Sequence, residues 1–233
     1  PDINNKTLLF ARSVVPGLWI PMAYINGGGM CLKWYRDLLV EKDNTVSYQT
    51  LDQAAEGIPA GSEGLIFLPH FSGRVCPNDP NVRGTWLGLS WIHTRNHLYK
   101  SIMEGIAYEY NYYLKILKEL IKDIELSKVI AIGGGAKSKL FNSIKADVLG
   151  VKYFPMALND TATLGSATVA GYGVKAFSNM ESAVEMFKKA DNHLEPDPKR
   201  HREYQKYAEA YEKVFSLAGS IFKTLSADEQ NYQ

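Results

Sequence analysis

Val129-Ile130-Ala131-Ile132-Gly133-Gly134-Gly135-Ala136-Lys137-Ser138 is the stretch that decides the fold. An apolar run, three adjacent glycines and an amphipathic segment from Leu140 to Leu149 read, in that order, as strand, tight turn and helix. The glycines remove every Cβ where the chain must bend, and they let a flat ligand approach the backbone. Ser138 is placed to cap the helix, whose first N–H groups attract anions or polar ligand edges. Two readings stay open locally: a nucleotide seat, or a structural turn alone. The Lys137-Ser138 ending is not a phosphate-gripping P-loop, because Ala136 separates Gly135 from Lys137. Nor is there a Gly-x-Gly-x-x-Gly fingerprint followed by an acid.

Working outward, Leu8–Val15 and Leu18–Ile25 are apolar runs divided by Pro16-Gly17, which predicts two paired strands. A second glycine run, Gly27-Gly28-Gly29, opens a helix through Met30, Trp34, Leu38 and Leu39, and Ser47 to Ala55 reads as a short helix. Leu65–Leu68 is a buried strand stopped by Pro69, and residues 70–90 read as one long loop. Leu98, Ile102, Ile106, Tyr110, Tyr113, Leu117 and Ile121 step by three or four along a long helix that starts near His93. After the helix to Leu149, Gly150 stops the chain and Val151–Phe154 makes a strand. A small-residue segment, Thr161 to Gly173, follows. Ser178 is expected to cap a helix through Val184 and Phe187, a polar helix runs from Lys199 to Leu225, and residues 226–233 are expected to fray. The order of elements predicts a layered α/β domain.

The 233 residues can bury a substantial core, as one large or two small domains. A net charge of +1 gives no bulk electrostatic reason to expect a nucleic-acid or membrane partner. No apolar run approaches the ~20 residues of a membrane span, and no signal peptide is visible. Cys31 and Cys76, far apart, fit a reducing cytoplasm, with one disulfide left open. Pro1 to Asn5 shows no initiator Met, targeting pattern or helix start, so the chain is expected to begin in mid-domain.

Other chemistry-bearing residues have ordinary readings beside the functional ones. His93 and His97 share the spacing of a metal pair, but Thr94 stands where a His-Glu-x-x-His hydrolase needs its acid. Helix-end hydrogen bonds are the simpler reading. Tyr108, Tyr110, Tyr112 and Tyr113 fit helix packing better than a stacking platform, which needs basic interleaving. Asp79, Arg83, Glu104 and Asp160 are isolated charges that read equally as caps or loop bonds, and no nucleophile elbow is present.

Placed in order, three stretches resemble the C-terminal lobe of the FGGY carbohydrate kinases, the xylulose- and gluconate-kinase-like group. The first is Gly64 to Arg74 with Pro77, Asp79-Pro80 and Arg83-Gly84. The second is Gly84-Thr85-Trp86-Leu87-Gly88-Leu89, seven residues, His97-Leu98, two residues, then Ser101-Ile102-Met103-Glu104-Gly105. The third is Gly133 to Ser138 with Asn142, Ala146-Asp147 and Leu164-Gly165-Ser166-Ala167. The resemblance implies an actin-like, ribonuclease-H-like α/β fold lacking its first strand, with residues 1–225 as the nucleotide-binding lobe. It implies ATP and Mg²⁺ as cofactors. Gly134 and Gly135 are expected on the adenosine and α-phosphate side, and Ser138 and Asn142 beside the adenine. Asn142 stands where the family more often has Gln, and Gly73-Arg74 is one residue shorter than the family's Gly-Glu-Arg. The base, an Asp, and most sugar contacts are implied to lie in an N-terminal lobe absent from this chain. No catalytic or metal-binding residue is therefore assigned here, and the fragment is expected to be inactive alone. That lobe and a sugar or polyol in the cleft are the implied partners, with a homodimer left open. A non-enzymatic actin-like nucleotide-binding module is the alternative.

Overall fold

The computed structural model describes residues 2–40, 46–156, 160–180 and 193–229. Strands β1 (Leu9–Arg12) and β2 (Trp19–Met22) pair antiparallel across the Pro16-Gly17 turn, with Leu9 opposite Met22. Helix α1 (Gly28–Val40) follows. Helix α2 (Tyr48–Ala55) starts at Ser47, whose hydroxyl accepts the Thr50 N–H at 3.1 Å. Strand β3 (Ile66–Leu68) is buried on every residue. It pairs antiparallel with β4 (Thr85–Leu87), Phe67 standing opposite Trp86. Strand β4 corrects the long-loop reading of residues 70–90. It is only three residues long, and tertiary contacts hold it: the Trp86 ring packs 4.7 Å from Phe67, and its indole N–H donates to Ser101 Oγ at 3.0 Å.

Helix α3 (Arg95–Leu120) is capped by Thr94, so it begins two residues after His93. It places Ile102, Met103, Ile106 and Ala107 in the core, each at most 1% exposed. Strand β5 (Lys128–Ala131), helix α4 (Lys139–Leu149) and strand β6 (Lys152–Pro155) form a parallel strand–helix–strand unit, with Val129 opposite Tyr153. Gly150 ends α4 in the left-handed conformation. Among the described residues the strands form three separate two-stranded sheets. Helix α5 (Thr161–Gly173) starts at Asp160. The helix expected after Ser178 falls on residues outside those described.

The last helix, α6 (Pro198–Glu229), runs past Leu225. Ser226 is buried and donates to Asn81 Oδ1 at 2.8 Å, so the tail expected from residue 226 is helical through Glu229. This polar-looking helix also owns a core face: Tyr204, Ala208, Tyr211 and Val214 step by four, three and three into the main hydrophobic cluster. That cluster joins α1, α2, β3, α3, α4 and α6. Cys31 and Cys76 are both free and buried, so the disulfide left open by the sequence is not formed.

Candidate functional site

The glycine turn lies between β5 and α4, and its three glycines have different duties. Gly133 has φ +82° and ψ −169°, a conformation that only glycine holds without strain. Gly134 begins a single 3₁₀ turn to Lys137, closed by the Ala136 N–H donating to Gly133 O at 3.1 Å. A Cβ on Gly134 would meet nothing within 4 Å, and one on Gly135 would make ordinary contact with Phe141 at 3.5 Å. Packing therefore does not demand glycine at 134 or 135. Residues 133–135 are exposed, and among the described residues neither the Gly134 nor the Gly135 N–H finds a backbone acceptor. The turn thus presents two free donors in open space.

Ser138 and Asn142 are brought beside this turn, one helical turn apart on α4, and both are engaged within the protein. Ser138 Oγ accepts the Phe141 N–H at 3.0 Å, the expected cap, and donates to Asp52 Oδ2 at 2.7 Å. Asp52 Oδ1 in turn accepts from Tyr99 at 2.8 Å. Ser138 therefore ties the start of α4 to α2 and α3. Asn142 is only 2% exposed, and its amide donates to Ala136 O at 2.7 Å, bracing the turn from below. Its Oδ1 is buried without a hydrogen-bond partner, the one unsatisfied acceptor at the site.

The remaining candidates are structural. His93 Nδ1 accepts the Ser90 N–H at 2.9 Å, and His97 Nδ1 accepts the Thr94 N–H at 3.1 Å. His97 also reaches Glu63 at 3.0 Å through Nε2. Asp160 caps α5 by accepting the Thr163 N–H at 2.9 Å. Asp79 accepts the Asn81 N–H at 3.0 Å, and Arg83 donates to Pro80 O at 2.7 Å. Among the described residues no group of three His, Cys, Asp or Glu side chains is placed to hold a metal ion.

Two buried acids on α3 carry more of the structure than their isolated positions in the sequence suggest. Glu104 is fully buried and accepts from Gly61 N–H at 2.9 Å, Ser62 Oγ at 2.7 Å and Tyr204 OH at 2.9 Å. Burial pushes its carboxyl up to about 7, against the pull of Lys100 and of these donors. Glu109 is also fully buried and takes a two-pronged bond from Arg74 at 2.9 and 3.1 Å, plus Tyr211 OH at 2.7 Å. Burial alone would raise Glu109. The His70 ring at 3.7 Å and the Arg74 guanidinium outweigh it and hold the carboxyl below its ordinary value.

The family model for the C-terminal domain of the FGGY family of carbohydrate kinases matches residues 6–174. The xylulose kinase of Staphylococcus epidermidis is 30% identical over 226 residues, which is 97% of this chain and 44% of that protein. The gluconokinase of Bacillus subtilis is 24% identical over 87% of this chain and 41% of its own length. The crystal structure of xylulose kinase from Rhodospirillum rubrum superposes with a TM-score of 0.77 at 26% identity, over 93% of this chain and 43% of that one. The chain thus spans less than half the length of the curated relatives it matches. Its fold is the actin-like α/β arrangement of these sugar kinases. This chain belongs to the FGGY family of carbohydrate kinases and carries its C-terminal domain.

Proposed function

We propose that this chain, residues 1–225 and the helix end beyond them, is the nucleotide-holding lobe of an ATP-dependent sugar or polyol kinase. The observation that carries the reading is the exposed turn at Gly134-Gly135, with two free N–H donors and no side chain in the way. Such a surface fits the polar edge or phosphate oxygens of a nucleotide. ATP, when bound, supplies the transferable phosphoryl group. The chain's own part is to hold the nucleoside end: Gly134 and Gly135 donate from the backbone, while Ser138 and Asn142 fix the turn that carries those donors. Mg²⁺, when it enters with the nucleotide, would be held chiefly by the phosphate oxygens, and among the described residues no three His, Cys, Asp or Glu side chains gather for a metal.

The base and the sugar contacts belong, on this reading, to an N-terminal lobe that closes over this one. Closure aligns donor with acceptor and excludes water. The chain alone is then a binder without turnover. A cytoplasmic setting agrees with the two unpaired cysteines, and among the described residues no helix is long and apolar enough to cross a membrane.

The test measures ATP and ADP affinity of the purified chain by calorimetry, beside a Gly134→Val, Gly135→Val double variant. Because a Cβ is tolerated at both positions, the variant should fold and should lose nucleotide binding. Unchanged affinity would make the turn only structural, and sugar phosphorylation by the chain alone would refute its role as a pure binding lobe.

A further inference from the structure

The side chains beside the glycine turn are already engaged within the protein. The Ser138 proton goes to Asp52 Oδ2 at 2.7 Å, and Asp52 is fixed through its other oxygen by Tyr99 at 2.8 Å. The hydroxyl therefore cannot turn to a ligand without breaking a chain of bonds that joins α4, α2 and α3. One of its lone pairs holds the Phe141 N–H at 3.0 Å. The Asn142 amide nitrogen is taken up by Ala136 O at 2.7 Å. Asn142 Oδ1 is unpaired, but it is closed off from solvent in a side chain only 2% exposed. Lys137 and Lys139 are exposed, and a lysine ammonium donates without accepting.

What the turn presents freely is backbone. The Gly134 and Gly135 N–H groups find no backbone acceptor among the described residues. A Cβ on Gly134 would meet nothing within 4 Å, and one on Gly135 only Phe141 at 3.5 Å, so packing does not require the bare peptide surface found there. Such a surface suits the flat face of a base, which every base has. The N–H donors suit a purine N7, the ribose oxygens and the phosphate oxygens. Adenine and guanine nucleotides share all of these. They differ at the base edge, where adenine carries an amino donor and guanine an oxygen acceptor. Selecting adenine calls for an acceptor aimed at that amino group, and no described side chain at the turn offers one to solvent.

We propose that the turn holds its nucleotide by features common to adenine and guanine, so that GDP and IDP bind as well as ADP. The inference rests on the nucleotide-holding reading above and widens its ligand from adenine nucleotides to purine nucleoside phosphates as a class. Asn142 is on this view a positioning residue, which braces the turn and does not read the base.

The test titrates the purified chain with ADP, GDP and IDP by calorimetry, and repeats the series with Asn142→Ala at a temperature where circular dichroism shows both proteins folded. IDP shares guanine's oxygen and lacks its amino group, so the three together separate the two edge differences. Hydrogen bonds that read a base edge discriminate by about fivefold or more. The three affinities are expected to agree within about fivefold, and Asn142→Ala should weaken all three alike, as the loss of a brace does. A larger preference for any one of the three, or a variant that loses ADP alone, would overturn the proposal. Should the variant not fold, the comparison in the unmodified chain still decides. No binding of any of the three would refute the nucleotide reading and this inference with it, whereas a base preference would leave that reading standing.

Discussion

Raising the pH from 5 to 8 should destabilise this protein through a single carboxyl, that of Glu104. Its pKa is raised from 4.5 to about 7 in the folded chain by complete burial. Below pH 4.5 the group is protonated in both folded and unfolded states, and it contributes no pH dependence. Between 4.5 and 7 the folded state keeps a proton that the unfolded state has released, so stability falls as the pH rises. Above 7 the loss is complete. The gap between the two values corresponds, at about 1.4 kcal/mol per pH unit, to about 3 kcal/mol. The carboxyls held below their ordinary values, such as Asp2, Glu109 and Asp197, act in the opposite direction and at lower pH. Their effect is therefore separable from this window. Glu104→Gln keeps the shape, still accepts from Gly61 and Tyr204, can donate to Ser62, and cannot ionise. Urea unfolding followed by circular dichroism at pH 5 and pH 8 is the assay. The two proteins should be similarly stable at pH 5, and the variant should be more stable by about 3 kcal/mol at pH 8. Parallel pH profiles for the two would refute the reasoning, since the slope would then come from elsewhere.

Gly105→Ala would place a Cβ 2.2 Å from the backbone oxygen of Phe67, where α3 lies against β3. The helix-propensity gain of about 1 kcal/mol is outweighed by overpacking of about 1–3 kcal/mol or more, so net destabilisation is expected in urea, and a variant as stable as the parent would contradict the close approach. Arg74→Met should cost about 3–5 kcal/mol by leaving Glu109 buried without its guanidinium. The Arg74→Met, Glu109→Gln double variant should recover much of that loss, and a double variant no better than the single would show that the charge pair is not what matters.

Much of the fold was legible because its signals are local. Pro16-Gly17 marks the hairpin, Ser47 and Ser138 cap helices within three residues of themselves, and the stepping apolar residues of α3 need no partner to be recognised. Strand β4 was hidden because Thr85-Trp86-Leu87 lies in a segment of turn composition and is made a strand by β3 alone. Helix α6 was read as polar, although Tyr204, Ala208, Tyr211 and Val214 carried a helical core period. Tyrosine obscured it, since its hydroxyl makes it a less certain core residue than an aliphatic side chain until a partner such as Glu104 or Glu109 is known. At the candidate site the glycine run stood out, but its division of labour did not. That Gly133 alone needs glycine's conformational range is a backbone fact, and that Ser138 reaches Asp52, 86 residues away, is a tertiary one.

The position of the glycine turn is set less by the turn than by the anchors of α4. At its start, Ser138 is bonded to Asp52, which is bonded to Tyr99 on α3. At its end, Asp147 takes the Arg200 guanidinium at 2.6 Å and the Asp197 N–H at 2.7 Å, both at the start of α6. Helix α6 is itself held in register on α3, because Tyr204 reaches Glu104 and Tyr211 reaches Glu109, so a slide of one residue would break both bonds. Ser138 and Asp147 thus tie the two ends of α4 to the frame of α2, α3 and α6. Free backbone donors contribute most when they need not reorganise to meet a ligand. An exposed turn on an isolated helix would wander, whereas one on a helix tied at both ends presents Gly134 and Gly135 in a fixed place. The acids of α3 therefore serve the candidate site from a distance, by holding still the helix that carries it.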